Sequence, residues 1–299
     1  MNQINQLKMK TQILLDRYVS LKWYNSISIK GVPLIAIFFL VLGCSTEETQ
    51  TVVNFTEITM QDDFDTDGAP DSSIWGYDIG NGPNGDGWGN QELQYYTDRP
   101  ENITVNNGHL IITAKQGDFN GSGYTSARIL TKGKFEQKYG RFEARMRLPY
   151  GKGMWPAFWM LGADIDSNPW PACGEIDIME NAGSAPTIIS GAVHGPEYFG
   201  GSPILKKYDL EDDRFDTGFH VFGIEWGPEY INYYVDDVLY NQITPADVTG
   251  EWVFDKGPFY IIINLAVGGL FDGPPNADTV FPQTMLIDYV RVYKYNGLN

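Results

Sequence analysis

From about residue 59 onward, apolar and polar positions alternate in short runs with a period of two. Arg141 to Leu148 (RFEARMRL) alternates without a break, as a strand with one buried face does. Met285 to Tyr295 alternates in the same way. Ile103-Thr-Val105 and Leu110-Ile-Ile112 flank Asn106-Asn107-Gly108, which predicts a hairpin with Gly108 available for a positive φ. Tyr230 to Val235 and Val238 to Tyr240 flank Asp236-Asp237 and predict a second hairpin. Phe259 to Val267 is nearly all apolar and reads as a central strand. Glycine and proline punctuate these runs at short spacing, and no window of 12 or more residues carries a helical stripe. There is no internal repeat and no linker to a second domain. The fold class expected is all-β, a sandwich of two packed antiparallel sheets.

The first 58 residues do not share this pattern. Gly31 to Leu42 reads GVPLIAIFFLVL, an apolar run too short for a comfortable membrane span and suited to the hydrophobic region of a signal peptide. Lys30 supplies its positive flank, and Val41-Leu42-Gly43-Cys44-Ser45 resembles a bacterial lipobox. The expected organisation is a lipoprotein-type signal peptide over 1–43, a polar tether over 44–58 and the folded domain over 59–299. On this reading the protein is exported and held at a membrane through a lipid on Cys44, as an outer-membrane or cell-surface lipoprotein. Simple secretion or a periplasmic location is the alternative. A monomer is expected.

Composition narrows the partner. Residues 1–43 hold five basic groups and one acid, which leaves 16 basic and 37 acidic groups after them, a net charge of −21. A field of that sign repels phosphates, so nucleic acid is excluded as a partner and a neutral ligand fits better. Two cysteines, Cys44 and Cys173, cannot make a disulfide framework, and no Cys/His spacing suits a metal site.

The chemistry concentrates in Cys173 to Asn181 (CGEIDIMEN). On a strand, Glu175 and Asp177 share one face while Ile176 and Ile178 share the other. Strict alternation would send Glu180 to the isoleucine face, and one extra residue, a β-bulge at Ile178-Met179, returns it to the acids. Three carboxylates so close cannot all ionise freely, so at least one keeps its proton near neutral pH. Glycosidic cleavage with retention needs such a set, and the assignment is Glu175 as nucleophile and Glu180 as acid/base. Asp177 between them would hold a proton against Glu175. By spacing alone a divalent-cation site or a solvated acidic strand is as good a reading. The run Met154-Trp155-Pro156-Ala157-Phe158-Trp159-Met160 and Trp170-Pro171 upstream favour a sugar, whose ring wants flat apolar faces beside hydrogen-bond acceptors.

GEIDIME, preceded by GMWPAFWMLG, resembles family 16 of the glycoside hydrolases, and within it the bacterial laminarinases (endo-1,3-β-glucanases). The similarity runs from about Phe64 to Tyr293. It includes Gly87 to Thr97 (GWGNQELQYYT), Tyr124 to Arg128, Tyr139 to Arg145, Asn264 to Gly269 and Asp288 to Tyr293. The resemblance implies a β-jelly-roll with a substrate cleft across a concave sheet, and makes 59–299 a catalytic domain. It implies retaining endo-hydrolysis of laminarin-like β-1,3-glucan, with mixed β-1,3/1,4-glucan as an alternative substrate. It supports the roles of Glu175, Asp177 and Glu180, and makes Asn90, Arg128, Trp155, Trp159, Trp170 and His194 cleft residues, with Asn264 a weaker candidate. No cofactor is implied for catalysis. A structural calcium on the convex face is implied, at positions Asp63, the Gly108 carbonyl and Asp288. Two departures stand out. Cys173 replaces a frequent serine, and Leu270 to Pro275 lacks the tryptophan often found after the double glycine, which puts one rim contact in doubt. A non-catalytic β-glucan-binding protein and an agarase-like enzyme are the competing functions. Retention of all three acids argues against the first, and the runs GWGNQELQYYT and WPAFWMLG against the second.

Overall fold

A computed structural model describes residues 55–297. The signal-peptide and lipid-anchor expectations, and most of the tether, lie outside the described residues. Among the described residues the regular secondary structure is nearly all strand, arranged in two sheets. The larger sheet has ten strands, with Gly140–Arg147 and Gln283–Tyr293 paired side by side in its middle. The smaller has seven, in the order Ile204–Asp209, Ile188–His194, Glu175–Asn181, Met154–Gly162, Phe259–Val267, Arg128–Leu130, Gly76–Tyr77. Every strand pair is antiparallel except Gln94–Tyr96 with Ser122–Ser126.

Local sequence chooses these elements. The first hairpin joins Ile103–Asn106 to His109–Phe119, with φ of +51° at Asn107 and +73° at Gly108. The second joins Tyr230–Val235 to Val238–Ile243, with φ of +47° at Asp236 and +64° at Asp237. Two central residues with positive φ match the twist of the flanking strands, and asparagine, aspartate and glycine tolerate that conformation best.

The core lies between the sheets. Met154, Phe158 and Met160 lie beside Ile176, Ile261, Ile263 and Leu265 in one apolar cluster with Phe142, Phe222 and Trp226 of the larger sheet. Phe259–Val267 is buried along its whole length because its second face is covered as well: Tyr260 and Ile262 join Leu130, Leu161 and Cys173 in a small cluster on the outer side. That accounts for its uninterrupted apolar sequence.

The bulge is present where the spacing requires it. Asp177 pairs with Trp159 and Met179 with Phe158, so Ile178 has no opposite number on that side. On the other side Asp177 pairs with Ala192 and Glu180 with Ser190, three positions against two. Ile178 and Met179 are both fully buried in the main core. Burying two such side chains is worth about 1.5–3 kcal/mol each, so two adjacent apolar residues are drawn inward and the strand kinks to allow it. The functional consequence is that Glu180 emerges on the same face as Glu175 and Asp177.

Candidate active site

The strand Glu175–Asn181 is launched by Gly174, whose φ is +82°. A Cβ there would sit 2.8 Å from Val253 and 2.9 Å from Phe259, so only glycine fits both the backbone and the packing. Glu175, Asp177 and Glu180 then project from the outer face. Their cross-strand neighbours are His194, Ala192 and Ser190 on one side and Leu161, Trp159 and Ala157 on the other. The alanines and the serine are short, which leaves room above the acids for a ligand.

Each acid has a distinct partner. The Trp170 indole donates to Glu175 Oε2 at 2.6 Å, and the Trp155 indole donates to Glu180 Oε1 at 2.9 Å. His194 Nε2 lies 3.2 Å from Asp177 Oδ2 and 4.0 Å from Glu175 Oε1. Asp177 is only 2% exposed. Burial, reinforced by the neighbouring Asp177 charge, pushes Glu175 up to about 8 from an ordinary 4.5. Burial pushes Glu180 up to about 7, against the Trp155 hydrogen bond that favours its charged form. Asp177 is raised well above the usual carboxylate range, by burial first and the Glu180 charge second. The three therefore carry fewer than three negative charges at neutral pH.

These shifts have a stability consequence with a definite sign. Glu175 holds its proton in the folded chain up to about pH 8, while in the unfolded chain it ionises near 4.5. Stability contributed by this group is fully present below about pH 4.5 and is lost as pH rises toward 8. Glu175→Gln keeps an acceptor for Trp170 and removes the charge. It is expected to raise Tm at pH 8 by roughly 5 °C, on the order of 2 kcal/mol, and to leave Tm unchanged at pH 4. Thermal melts at the two pH values check this, and an equal shift at both would show that the charge is not the cause.

The other residues expected in the cleft separate into two groups. Trp155, Trp170 and His194 contact the acids directly. Trp159, Asn264 and Arg128 form a station farther along the sheet. The Trp159 indole donates to Asn264 Oδ1 at 2.7 Å, and Asn264 Nδ2 donates to the Tyr96 hydroxyl at 3.1 Å. The Arg128 guanidinium lies 4.8 Å from the Trp159 ring and 4.7 Å from the Trp88 ring, and pairs with Asp78 at 2.9 Å. Its strand is the third from the catalytic strand, which at strand spacing is about 14 Å away. Asn90 donates to Glu92 Oε1 at 3.2 Å and backs onto Gly269, beside the Trp155 ring.

Two rim aromatics were missed in the sequence. Phe271 stacks on Trp155 with centroids 5.0 Å apart and planes 17° from parallel, so the loop that lacks a tryptophan still offers an aromatic. Phe199 packs edge-on against Trp170 at 5.4 Å, and both are exposed. Trp88, within a run already singled out, gains a purpose only through its contact with Arg128.

The positions implied as calcium ligands, Asp63, Gly108 and Asp288, line one depression on the ten-stranded sheet. Arg291 donates to Asp63 Oδ1 at 2.7 Å, and Arg145 donates to Asp288 Oδ2 at 2.6 Å. Both carboxylates are thus neutralised by guanidinium groups. Asp65 and Asn107 line the same depression.

Comparison with known proteins identifies the family. The family model described as "Glycosyl hydrolases family 16" matches residues 90–291. The "Beta-glucanase" of Rhodothermus marinus is 42% identical over 268 residues, covering 86% of this chain and 92% of that protein. The laminarinase catalytic domain of Thermotoga maritima superposes with a TM-score of 0.76 at 47% identity, covering 81% of this chain and 99% of that one. The endo-β-1,3-glucanase of Pyrococcus furiosus gives 0.76 at 46% identity, covering 81% and 95%. The fold, the acidic strand and the length of these matches together show that the chain belongs to glycosyl hydrolase family 16.

Proposed function

We propose that this enzyme hydrolyses internal linkages of laminarin-like β-1,3-glucan with retention of anomeric configuration. The observation that carries the chemistry is the bulged strand, which puts Glu175, Asp177 and Glu180 on one face with an indole N–H on each outer acid. The β-1,3-glucan substrate is supported by the names of the relatives from Thermotoga maritima and Pyrococcus furiosus.

In the first step Glu175 attacks the anomeric carbon while Glu180 protonates the leaving oxygen. Trp170 occupies Glu175 Oε2 and so leaves Oε1 to form the bond. Trp155 occupies Glu180 Oε1 and leaves Oε2 to pass the proton. A proton resident on Asp177 removes that residue's charge, the second cause of the rise at Glu175, and so favours the ionised nucleophile. In the second step Glu180, now a base, takes a proton from water, and the water displaces Glu175 from the sugar. Two inversions at one carbon give net retention.

Trp159, Trp88 and Arg128 offer stacking faces and donors about three strands from the cut, a distance that suits binding a chain at several sugars. Reducing-end release from laminarin, lichenan, agarose and carrageenan tests the substrate. The expected order is laminarin first, lichenan slower, and no release from the two galactans. Cleavage of agarose with laminarin untouched would overturn the proposal.

A further inference from the structure

Three donor atoms converge beside the cleavage point from residues of two strands. One atom each from Glu175, Asp177 and His194 lies within 4.8 Å of the others. The imidazole and Asp177 oxygen are 3.2 Å apart, and the imidazole and Glu175 oxygen 4.0 Å. Around a tetrahedral zinc ion with ligands at roughly 2.0–2.2 Å, neighbouring donors stand about 3.4 Å apart. One pair is already at that spacing, and the two pairs that involve Glu175, at most 4.8 Å apart, close with shifts of under about 1.5 Å in its side chain. Asp177 is 98% buried by its 2% exposure, and its Oδ2 has no hydrogen-bond partner despite the nearby imidazole, which is not aligned for one. A buried carboxylate oxygen without a donor, facing the space between two other ligands, is unusual unless something binds there.

We propose that Glu175, Asp177 and His194 form a binding site for a borderline divalent transition metal, zinc or copper(II), and that the metal competes with the sugar substrate. One imidazole and two carboxylates select for such ions over calcium or magnesium, which favour all-oxygen shells. Water completes the shell at the fourth position. Binding releases the proton that Asp177 otherwise carries, since a ligating carboxylate is deprotonated. His194 Nδ1 has no partner to orient the ring, so affinity is moderate and a chelator reverses it. The inhibition rests on the roles proposed above, because the metal holds the Glu175 oxygen that would attack. The binding does not rest on them.

Isothermal titration of zinc chloride into the full chain, without sugar, tests the site. One ion per chain is expected, with affinity at least ten-fold weaker in His194→Ala and within two-fold of the parent in Glu180→Gln. Glu180→Gln lies outside the ligand set, so it separates metal binding from turnover. A calcium titration is expected to show no such site. In steady-state assays zinc is expected to raise KM and leave kcat unchanged. Zinc binding that is absent, or unchanged in a folded His194→Ala protein, overturns the proposal, as does inhibition that lowers kcat alone. Because the titration contains no glucan, its outcome stands whether or not laminarin is the substrate.

Discussion

Glu175→Ala is expected to lose turnover by at least about ten-thousand-fold, while the folded protein still binds laminarin oligosaccharides. The loss is large because the nucleophile acts only in the transition state and no neighbour can replace it. Asp177 is buried against His194, and Glu180 is held by Trp155 on the far side of the bulge. Removing the side chain also frees the position that Oε1 reaches. A small anion such as azide fits there, attacks the anomeric carbon from that side and is not displaced afterwards. The product is an α-glycosyl azide, inverted relative to the β-glucan. Azide rescue that yields the β-azide would contradict the assignment of Glu175.

Glu180→Ala is expected to lose about a hundred- to ten-thousand-fold on laminarin, the range for removal of a general acid and base. Its signature differs in three ways. An activated leaving group such as dinitrophenolate needs no protonation, so the first step survives on an aryl β-glucoside and the glycosyl-enzyme accumulates. Azide then intercepts that intermediate and gives the β-azide, with retention. The pH profile changes too: the parent loses activity on the alkaline side as Glu180 deprotonates, near its value of about 7. Glu180→Ala, assayed on the activated substrate, is expected to lack that alkaline limb. Retention of the limb would place the acid elsewhere. The two variants together assign the outer acids by opposite stereochemistry, which no loss of folding can imitate.

Much of this was legible in the chain because the relevant physics is local. Strand alternation, the two hairpins with asparagine and aspartate at positive φ, and the fully apolar Phe259–Val267 each follow from a few consecutive residues. The bulge was legible for the same reason: Ile178 and Met179 are adjacent and both apolar, and only a kink can bury both while keeping three acids together. Phe271, Phe199 and Asp78 were not legible. Each matters through a residue distant in sequence, Trp155, Trp170 and Arg128 respectively, and no spacing rule joins them. The arginines at the implied calcium positions were not legible either. Asp63 and Asp288 are spatial neighbours, as the resemblance implied, but Arg291 and Arg145 reach the same carboxylates and satisfy them. Family likeness located the acids and could not show which cations would be there first.

Trp170 and Trp155 also show how an aromatic can be read at two levels. Their clustering before the acidic strand pointed to a sugar-binding surface. Their indole N–H groups do something further, fixing one oxygen of each outer acid and leaving the other to react.

The most direct test of two carboxylates working with retention on β-1,3-glucan is the proton NMR spectrum of the first products. The enzyme is added to a laminarin oligosaccharide, and the anomeric region is followed faster than mutarotation. The β-anomer is expected to appear first, with the α-anomer growing in later at the rate of spontaneous mutarotation. Initial release of the α-anomer would contradict the double displacement by Glu175 and Glu180.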